Sequence, residues 1–379
     1  MSNYVILTGS KNNAGDYLIK YRAKQIFFKE RPDRQIIDIN GWEKFNDETL
    51  SKVNSSKALI LMGGPALQKN MWPNIYGLRD NLDEIKVPIL MMGVGWYSSQ
   101  GNWENTYNYP LDNNTKKLLE RIKNSGYKSS VRDYHTMNSL WFHGVDNILM
   151  TGCPAYYDYD CLEKKIELPE IKKVGFSLGV SFINSSNMEK LMKDNILRCK
   201  KYFDKQDFKV VFHHSLNQEV YLNSHNANGK YLKRHNEFAK WLTENNIDYI
   251  DISGSAENLI NYYSSVDLHI GYRVHAHIFM NSISKFSILL SEDGRAKATQ
   301  RVIGGVVLDG VNRFKEHLFD KIGGRLHIVD RYDSNIYLSD EIIHNIQYEE
   351  ETNYKRLEAS RKNIDTNYSV MKTFINQLP

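Results

Sequence analysis

The feature that most constrains the fold is a repeated alternation of short apolar segments with segments of helical spacing. Several apolar segments stop at glycine or at a charged residue, as Ala58–Met62 stops at Gly63 and Gly64. Buried parallel strands read as continuous apolar runs, and strands that alternate with helices are typical of strand–helix–strand units. We therefore expect an α/β fold with mostly parallel sheets. The predicted strands are Tyr4–Thr8, Ala58–Met62, Val87–Val94, Ser129–Val131, Asn147–Met150, Val174–Leu178, Lys209–Phe212, Asp248–Ile252, Val266–Ile270 and Ser287–Leu290.

The length of the chain predicts two domains. It has 379 residues, which is too long for one ordinary core. A polar, charged stretch at Asp158–Lys173 separates two series of predicted strands. We expect residues 1–165 and 166–335 to form two Rossmann-like domains whose sheets face a cleft, as in GT-B glycosyltransferases. Residues 336–379 are expected to form a polar helical tail, which could pack back on the first domain.

The composition argues against several classes of protein. The chain is 41% hydrophobic and 25% charged, with a net charge of +4 and no dense basic run, so neither disorder nor nucleic-acid binding is expected. The three cysteines lack CxxC spacing, which argues against a disulfide framework or a zinc site. No signal-peptide pattern and no apolar run of membrane-spanning length is found. We expect a cytoplasmic protein, either free or peripheral to a membrane.

The strongest functional signal is the stretch Gly271–His277. It lies between the predicted strand Val266–Ile270 and an apolar segment that reads as a helix. Arg273 and His275 are therefore expected where the carboxyl end of a strand meets the amino end of a helix. Open α/β sheets bind ligands at such junctions, and the N–H groups of a helix start favour anions. A permanent cation beside a titratable imidazole predicts a site for a small acidic substrate.

Other loops that follow predicted strands carry glycine or polar residues and are expected to converge on the same cleft. In the loop Asn12–Asp16, Gly15 would let the backbone approach a ligand, and Asp16 could accept a proton from a hydroxyl. Asn and Asp are also favoured at helix starts, so the same loop could simply cap a helix. Gly63 and Gly64 could cradle a ligand or make a tight turn.

Further basic groups follow strand ends. Arg132 could bind a carboxylate or phosphate through its guanidinium, or pair with the neighbouring Asp133. Lys297 could add a cation to the cleft, and one of His213 and His214 could face it, with a structural role expected for at least one of the two. The sequence contains no GxGxxG after a strand, no GxxxxGK[ST] and no HExxH, so nicotinamide, P-loop and zinc-protease sites lose their usual motifs.

Taken in order, these motifs resemble those of the polysaccharide pyruvyl transferase family. The resemblance runs from about Val5 to Arg301, and Lys297 falls where the family often carries a lysine. Pro65 departs from the family's usual third glycine. The segments that carry the resemblance are Asn13-Ala14-Gly15-Asp16, Met62-Gly63-Gly64-Pro65, Ser130-Val131-Arg132-Asp133, Thr151-Gly152-Cys153-Pro154-Ala155 and Gly271-Tyr272-Arg273-Val274-His275-Ala276.

The resemblance implies a GT-B fold and a transfer of pyruvate from phosphoenolpyruvate onto two hydroxyls of a sugar. The product would be a cyclic ketal in a cell-surface polysaccharide or its precursor, and the acceptor a free, lipid-linked or polymeric sugar. Phosphoenolpyruvate would be a co-substrate, and no metal or organic cofactor is implied. His275 is the expected donor of a proton to the methylene carbon, and Asp16 is a candidate base. The expected substrate contacts are Arg132, Arg273, Lys297, Asn13, Gly15, Gly63 and Gly64.

Two other functions stay open from the sequence. A GT-B glycosyltransferase with a nucleotide-sugar donor would also need cations, because its donor carries a diphosphate. A non-catalytic sugar-binding protein could share the fold, but binding a sugar needs no cluster of cations. Four aromatic residues near the strand ends of the first domain could stack on a sugar or pack in its core. They are Trp72, Trp96, Tyr97 and Trp103.

Overall fold

The computed structural model describes residues 2–9, 14–167, 170–222, 229–314, 330 and 332–379. These residues divide into two compact units: unit 1 has residues 2–9, 15–163 and 362–379, and unit 2 has residue 14 and the described residues between 164 and 361. The C-terminal segment is therefore shared, because residues 336–361 pack in unit 2 and residues 362–379 complete unit 1.

Unit 1 is built on one parallel sheet flanked by helices. Its strands are β1 (Ser2–Thr8), β2 (Arg34–Asn40), β3 (Ala58–Leu67), β4 (Ile89–Trp96), β5 (Ser129–Val131) and β6 (Ile148–Met150). Its helices are α1 (Ala14–Glu30), α2 (Asp47–Asn54), α3 (Asn113–Lys123) and α4 (Tyr134–Phe142). The six strands lie in the order β2-β1-β3-β4-β5-β6, and every neighbouring pair is parallel. All six carboxyl ends therefore lie at one edge of the sheet.

Unit 2 repeats this architecture. Its sheet strands are β7 (Lys173–Ser177), β8 (Asp207–Phe212), β9 (Asp248–Asp251), β10 (Leu268–Gly271), β11 (Phe286–Ser291) and β12 (Val306–Asp309), in the parallel order β12-β11-β10-β7-β8-β9. Its helices are α5 (Ser186–Tyr202), α6 (Gln218–Leu222), α7 (Gly229–Glu244), α8 (Ala256–Ser264), α9 (Val274–Ser282) and α10 (Gly294–Ile303). An antiparallel pair, β13 (Val311–Phe314) and β14 (Tyr332–Ser334), precedes α11 (Leu338–Glu351) and α12 (Lys355–Asn376).

The strand order of each sheet reverses direction once. In unit 1 the chain moves from β1 out to β2 and then returns to place β3 on the other side of β1. In unit 2 it moves from β7 through β8 to β9 and then places β10 on the other side of β7. At such a reversal, or topological switch point, the connections leave a crevice outside the carboxyl ends of the two adjacent strands. Ligands are therefore expected beside β1 and β3 in unit 1, and beside β7 and β10 in unit 2.

Burial explains which strands the sequence predicted. Every residue of β4 is buried, and its apolar run was recognised as a strand. The edge strand β2 was missed because it alternates between half-buried and exposed positions, with Arg34 and Asp38 interrupting the apolar pattern. The edge strand β12 is short and half-buried, and it was missed for the same reason.

The C-terminal segment forms two helices instead of one continuous helix. Between α11 and α12, Asn353 and Tyr354 both take positive φ values, 54° and 55°, which an α-helix cannot accommodate. In unit 1, α12 is hydrogen-bonded to α1, and the C-terminal residue is hydrogen-bonded to β1. The Tyr368 hydroxyl donates to the Glu30 carboxylate at 2.6 Å, and the Tyr4 hydroxyl donates to the Pro379 carbonyl at 2.6 Å.

Across the described residues, no helix combines the length and apolar character needed to cross a membrane.

Candidate functional site

Arg273 lies at the switch point of unit 2, directly after β10 and next to the end of β7. Its backbone N–H donates to Ser177 Oγ at 3.1 Å, and its Nε donates to the Leu178 carbonyl at 2.8 Å. Its Nη2 lies 2.9 Å from His214 Nδ1 and must donate, because a guanidinium has no acceptor. Residues that follow β7 and β8 therefore fix this side chain in one orientation.

The anchors of Arg273 are a carbonyl and an imidazole, and neither carries a negative charge. No ion pair to a described residue neutralises the guanidinium. Burial lowers the pKa of Arg273, and the charge of Glu292 opposes that effect. A guanidinium nevertheless stays protonated at neutral pH. The switch point of unit 2 therefore holds a fixed positive charge.

His275 is the second residue of α9 and is 8% exposed. Arg273 is the N-cap of α9 and makes no side-chain capping bond, whereas the neighbouring helices α8 and α10 are capped by Ser255 and Asp293. The positive end of the α9 dipole therefore lies next to the Arg273 charge, without a capping side chain to offset it. His275 belongs to the same neighbourhood, because Arg273 and His275 both act electrostatically on the pKa of His213.

A series of buried serines and neutral histidines is hydrogen-bonded to the backbone N–H of Arg273. Ser177 Oγ accepts from Arg273 N–H and also hydrogen-bonds His269 Nε2 at 2.8 Å. His269 Nδ1 hydrogen-bonds Ser287 Oγ at 2.7 Å, and Ser287 Oγ hydrogen-bonds His277 Nδ1 at 2.8 Å. Burial lowers the pKa of His269 well below its usual value and that of His277 to about 3. Both rings are therefore neutral near pH 7.

The other charged groups of this edge are already paired. The Glu292 carboxylate accepts from the backbone N–H groups of Val180 and Ser181 at 3.1 Å, which closes the turn after β7. Arg295 donates through Nε and Nη2 to Asp293 at 2.7 to 3.0 Å. Both Glu292 and Arg295 are close enough to act on the pKa of Arg273.

Lys297 lies in the first turn of α10, with its Nζ 3.8 Å from Asp309 Oδ1 at the end of β12. Asp309 ends the edge strand, two strands from β10. The structure therefore places Lys297 at the same edge of the sheet as Arg273, with its ammonium group next to the Asp309 carboxylate.

In unit 1 the switch point holds Asp16 and the glycine pair. Asp16 lies in the first turn of α1 and is 5% exposed. Gly64, at φ +95°, faces it closely, because a β-carbon at Gly64 would lie 3.0 Å from Asp16 Oδ1. Gly63 is packed against the Gly93 carbonyl of β4. Gly15 precedes Asp16 in α1, and Asn13 lies outside the described residues.

Arg132 follows β5 at the same edge of unit 1. It is 6% exposed, its guanidinium lies against Gly95, and its Nε is 3.6 Å from Asp133 Oδ2. Asp133 uses its other oxygen to cap α4, accepting from Thr136 N at 2.7 Å. The ion pair with Asp133 that the sequence offered as an alternative is therefore present, although it is long.

The buried thiol of Cys153 lies close enough to both Arg132 and Asp16 for their charges to act on its pKa. Burial raises the pKa of its thiol to about 11, the charge of Arg132 opposes this, and the charge of Asp16 adds to it. Asp16 also adds to the effect of burial in raising the pKa of Tyr76, whose hydroxyl donates to the Met62 carbonyl at 2.6 Å. Cys153 therefore lies within electrostatic range of both Asp16 and Arg132, and Gly64 lies against Asp16.

A sequence model of the polysaccharide pyruvyl transferase family matches residues 13–279, well over half of the 379 residues. The chain belongs to the polysaccharide pyruvyl transferase family. The match confirms the resemblance found in the sequence motifs, and both Arg132 and Arg273 lie within it. A search of curated protein sequences found no match.

Solved structures of low sequence identity are similar to this pyruvyl transferase family member. The UDP-GlcNAc 2-epimerase from Neisseria meningitidis bound to UDP-GlcNAc aligns with a TM-score of 0.52 at 9% identity, covering 99% of this chain and 100% of that one. The UDP-GlcNAc 2-epimerase from Methanocaldococcus jannaschii gives 0.44 at 12% identity, covering 92% and 100%. The predicted fold class, two Rossmann-like parallel-sheet units of the GT-B type, is confirmed.

Two residues of this family member's site, Ser177 and Glu292, were not singled out from the sequence. Ser177 and Glu292 lie at the ends of β7 and β11, where a polar residue after an apolar run was the available signal. His214 was considered with His213, and the structure separates them. His213 Nε2 bonds the buried Tyr263 hydroxyl at 2.8 Å, whereas His214 contacts Arg273. Although histidines are frequent here, no group of three or more His, Cys, Asp or Glu in the described part of the chain could hold a metal ion.

Proposed function

We propose that this protein transfers the pyruvyl group of phosphoenolpyruvate onto two hydroxyls of a sugar in a cell-surface polysaccharide or its precursor. The product is a cyclic ketal, and inorganic phosphate is released. The observation that carries the proposal is the guanidinium of Arg273, which is fixed by neutral acceptors beside the uncapped start of α9. Membership of the pyruvyl transferase family supports the same conclusion.

The donor suits the switch point of unit 2. Phosphoenolpyruvate carries a carboxylate and a phosphate monoester, whose charge is about −1.5 to −2 at neutral pH by analogy with other monoesters. Nε and Nη2 of Arg273 use two of the five N–H hydrogens for protein contacts, which leaves three for an anion. The start of α9 adds a favourable dipole. We assign one acidic end of the donor to Arg273 and α9.

His275 is the proposed proton donor. Protonation of the methylene carbon makes C2 of the donor electrophilic, and a sugar hydroxyl then attacks C2. The C2–O bond to phosphate breaks, and a second hydroxyl of the same sugar closes the ketal. One hydroxyl proton replaces the proton that His275 gave to carbon, and the other leaves with phosphate, so protons balance. A positioned general acid contributes about 10²–10⁴ in rate.

Unit 1 is proposed to hold the acceptor, with Asp16 accepting a proton from its hydroxyl. Gly15, Gly63 and Gly64 would bring the backbone close to the sugar, as would Asn13. Arg132, at the carboxyl edge of this unit's sheet, is proposed as a further anion contact. Lys297 carries less support than Arg273, because its Nζ lies 3.8 Å from Asp309. These charges supply the electrostatics of the reaction, so the proposal includes no metal or organic cofactor.

Isothermal titration of phosphoenolpyruvate tests the donor site. Arg273→Ala should weaken binding at least about tenfold, because a hydrogen bond to a charged group contributes about 1.5–3 kcal/mol. Arg132→Ala should also weaken it, by a smaller factor. Arg198→Ala is the matched control in unit 2, since Arg198 is exposed and pairs with Asp340 at 3.0 Å. Wild-type affinity in both Arg273→Ala and Arg132→Ala would refute the anion site.

The alternative function is a glycosyltransferase with a nucleotide-sugar donor, because the same cationic edge of the sheet could bind a diphosphate. Thermal shift with phosphoenolpyruvate, UDP, GDP and CMP separates the two. We expect stabilisation by phosphoenolpyruvate and release of phosphate from it when sugar is added. Stabilisation by a nucleotide alone would replace the proposed function with the rival.

A further inference from the structure

We propose that Tyr97 and Tyr134 form a binding site for the pyranose ring of the acceptor sugar, beside Arg132. The inference rests on the proposed function, since it names the sugar subsite of that reaction. Its basis is that two large aromatic side chains stay exposed at the carboxyl edge of the unit 1 sheet. Tyr97 is 48% exposed and Tyr134 is 39% exposed, whereas Trp72 and Trp96 are 6% and 1% exposed and belong to the core.

The two tyrosines follow adjacent strands at the carboxyl edge of the sheet, Tyr97 directly after β4 and Tyr134 at the start of α4. Val94 of β4 pairs with Val131 of β5, and each tyrosine follows its valine by three residues (94 to 97 and 131 to 134). Their inner neighbours are in direct contact, because the rings of Trp96 and His135 stack with centroids 5.0 Å apart and planes 11° apart. Tyr97 and Tyr134 are therefore the sequence neighbours of two residues that stack on each other.

Hydrogen bonds fix the backbone at both positions. Tyr97 N–H donates to the Leu67 carbonyl at 3.2 Å, and the Tyr97 carbonyl accepts from the Tyr109 hydroxyl at 2.7 Å. Tyr134 is the first residue of α4, which Asp133 caps. The Trp96 N–H donates to Thr136 Oγ1 at 2.8 Å and joins the two segments. A tyrosine ring on a fixed backbone has two side-chain torsions to order, so it offers contact area at low entropic cost.

Arg132 lies between these two segments. Its guanidinium packs on Gly95, the residue before Trp96, and its backbone N–H donates to the Val94 carbonyl at 3.0 Å. Exposed aromatic faces next to a hydrogen-bonding cation suit a ligand with an apolar C–H face and a rim of hydroxyls, which describes a pyranose. A nucleobase also stacks on aromatic rings, so the experiment includes one.

Saturation-transfer NMR measures binding without turnover. The probes are methyl β-D-glucopyranoside, methyl β-D-galactopyranoside, methyl α-D-mannopyranoside and uridine. We expect transfer to at least one hexoside, weakened about 2- to 10-fold in Tyr97→Ala and in Tyr134→Ala, because aromatic contacts of this kind contribute about 0.5–1.5 kcal/mol. Tyr97→Phe and Tyr134→Phe should keep most of the binding. Tyr21→Ala, at a tyrosine 44% exposed on α1, is the matched control and should bind as wild type.

Absence of transfer to all three hexosides in the wild type would overturn the site, as would wild-type binding in both alanine variants with unchanged melting temperatures. Stronger transfer to uridine would assign the rings to a nucleobase.

Phosphate release from phosphoenolpyruvate with the same hexosides is the second measurement. The alanine variants should raise KM for the sugar and leave KM for phosphoenolpyruvate unchanged. If hexosides bind through the tyrosines but no phosphate is released, the proposed function fails and this site stands. If release persists with unchanged sugar KM in the variants, this site fails and the proposed function stands.

Discussion

Mild acid should destabilise unit 2 before unit 1. Four histidines of unit 2 are buried with lowered pKa values: burial brings His277 to about 3 and His235 to about 4, and holds His213 and His269 well below the usual value. In the unfolded chain each histidine titrates near 6.5. Between the folded and unfolded pKa values the unfolded state binds more protons, so the free energy of unfolding falls as pH drops below about 6.5.

The size of the effect follows from the same linkage. Each such histidine contributes a slope of about 1.4 kcal/mol per pH unit, and four contribute about 5–6 kcal/mol per unit. Because domains are stable by about 5–15 kcal/mol, a fall of one to two pH units below about 6.5 should be enough to open unit 2. Carboxyl groups in model peptides titrate near 4, below this window.

Hydrogen exchange with mass spectrometry at pH 7.5, 6.0 and 5.0, corrected for intrinsic exchange rates, resolves the two units. Peptides from β10 and α9 should lose protection at pH 5.0 while peptides from β3 and β4 keep it. Urea unfolding of His277→Gln should show a slope with pH lowered by about 1.4 kcal/mol per unit, whatever its stability at pH 7.5. His344→Gln, at an exposed position of α11, should keep the wild-type slope. Equal loss of protection in both units, or a wild-type slope in His277→Gln, would refute the burial of neutral histidines as the cause.

Three further outcomes are expected. His275→Ala should lower kcat for phosphate release by about 10²–10⁴ with an unchanged melting temperature, and wild-type turnover would remove His275 from the chemistry. Ser177→Ala should cost about 1–3 kcal/mol in urea unfolding, because Arg273 N–H and His269 Nε2 lose their shared partner, and it should raise KM for phosphoenolpyruvate; a change in stability alone would limit Ser177 to folding. Activity should survive dialysis against EDTA, and loss restored by a divalent cation would contradict a reaction that relies on protein cations.

Much of the fold could be predicted from the sequence because buried parallel strands leave a strong local signal. The apolar runs at β3, β4 and β10 each end in glycine or a charged residue, and these ends mark the ligand edge. The edge strands β2 and β12 could not be found this way, since half of their surface faces water and their composition resembles that of loops. The break between α11 and α12 depends on two non-glycine residues with positive φ, which a helical pattern does not reveal.

The candidate site was predictable in its positions but not in its contacts. Arg273 and His275 were found from a strand–helix junction, which is a local pattern. Their partners are distant in sequence: His214 lies 59 residues from Arg273, and Leu178 lies 95 residues away. Lys297 stays a prediction: its offset from the strand suggested the site, and the sequence did not indicate that its Nζ would lie 3.8 Å from Asp309 Oδ1. Contacts of this kind depend on strand order, which the sequence did not provide.

The two arginines at the edge of unit 2 show why Arg273 is the better indicator of function. Arg295 is neutralised by two hydrogen-bonded oxygens of Asp293, an arrangement that stabilises the fold without a ligand. Arg273 is held by a carbonyl and an imidazole, while Glu292, the carboxylate that could have paired with it, is bound to the N–H groups of Val180 and Ser181. Burying a cation without a counter-charge costs stability, as its lowered pKa indicates. An anion that completes the pair recovers that cost, so a bound phosphate or carboxylate should stabilise unit 2 in the wild type and lose this effect in Arg273→Gln.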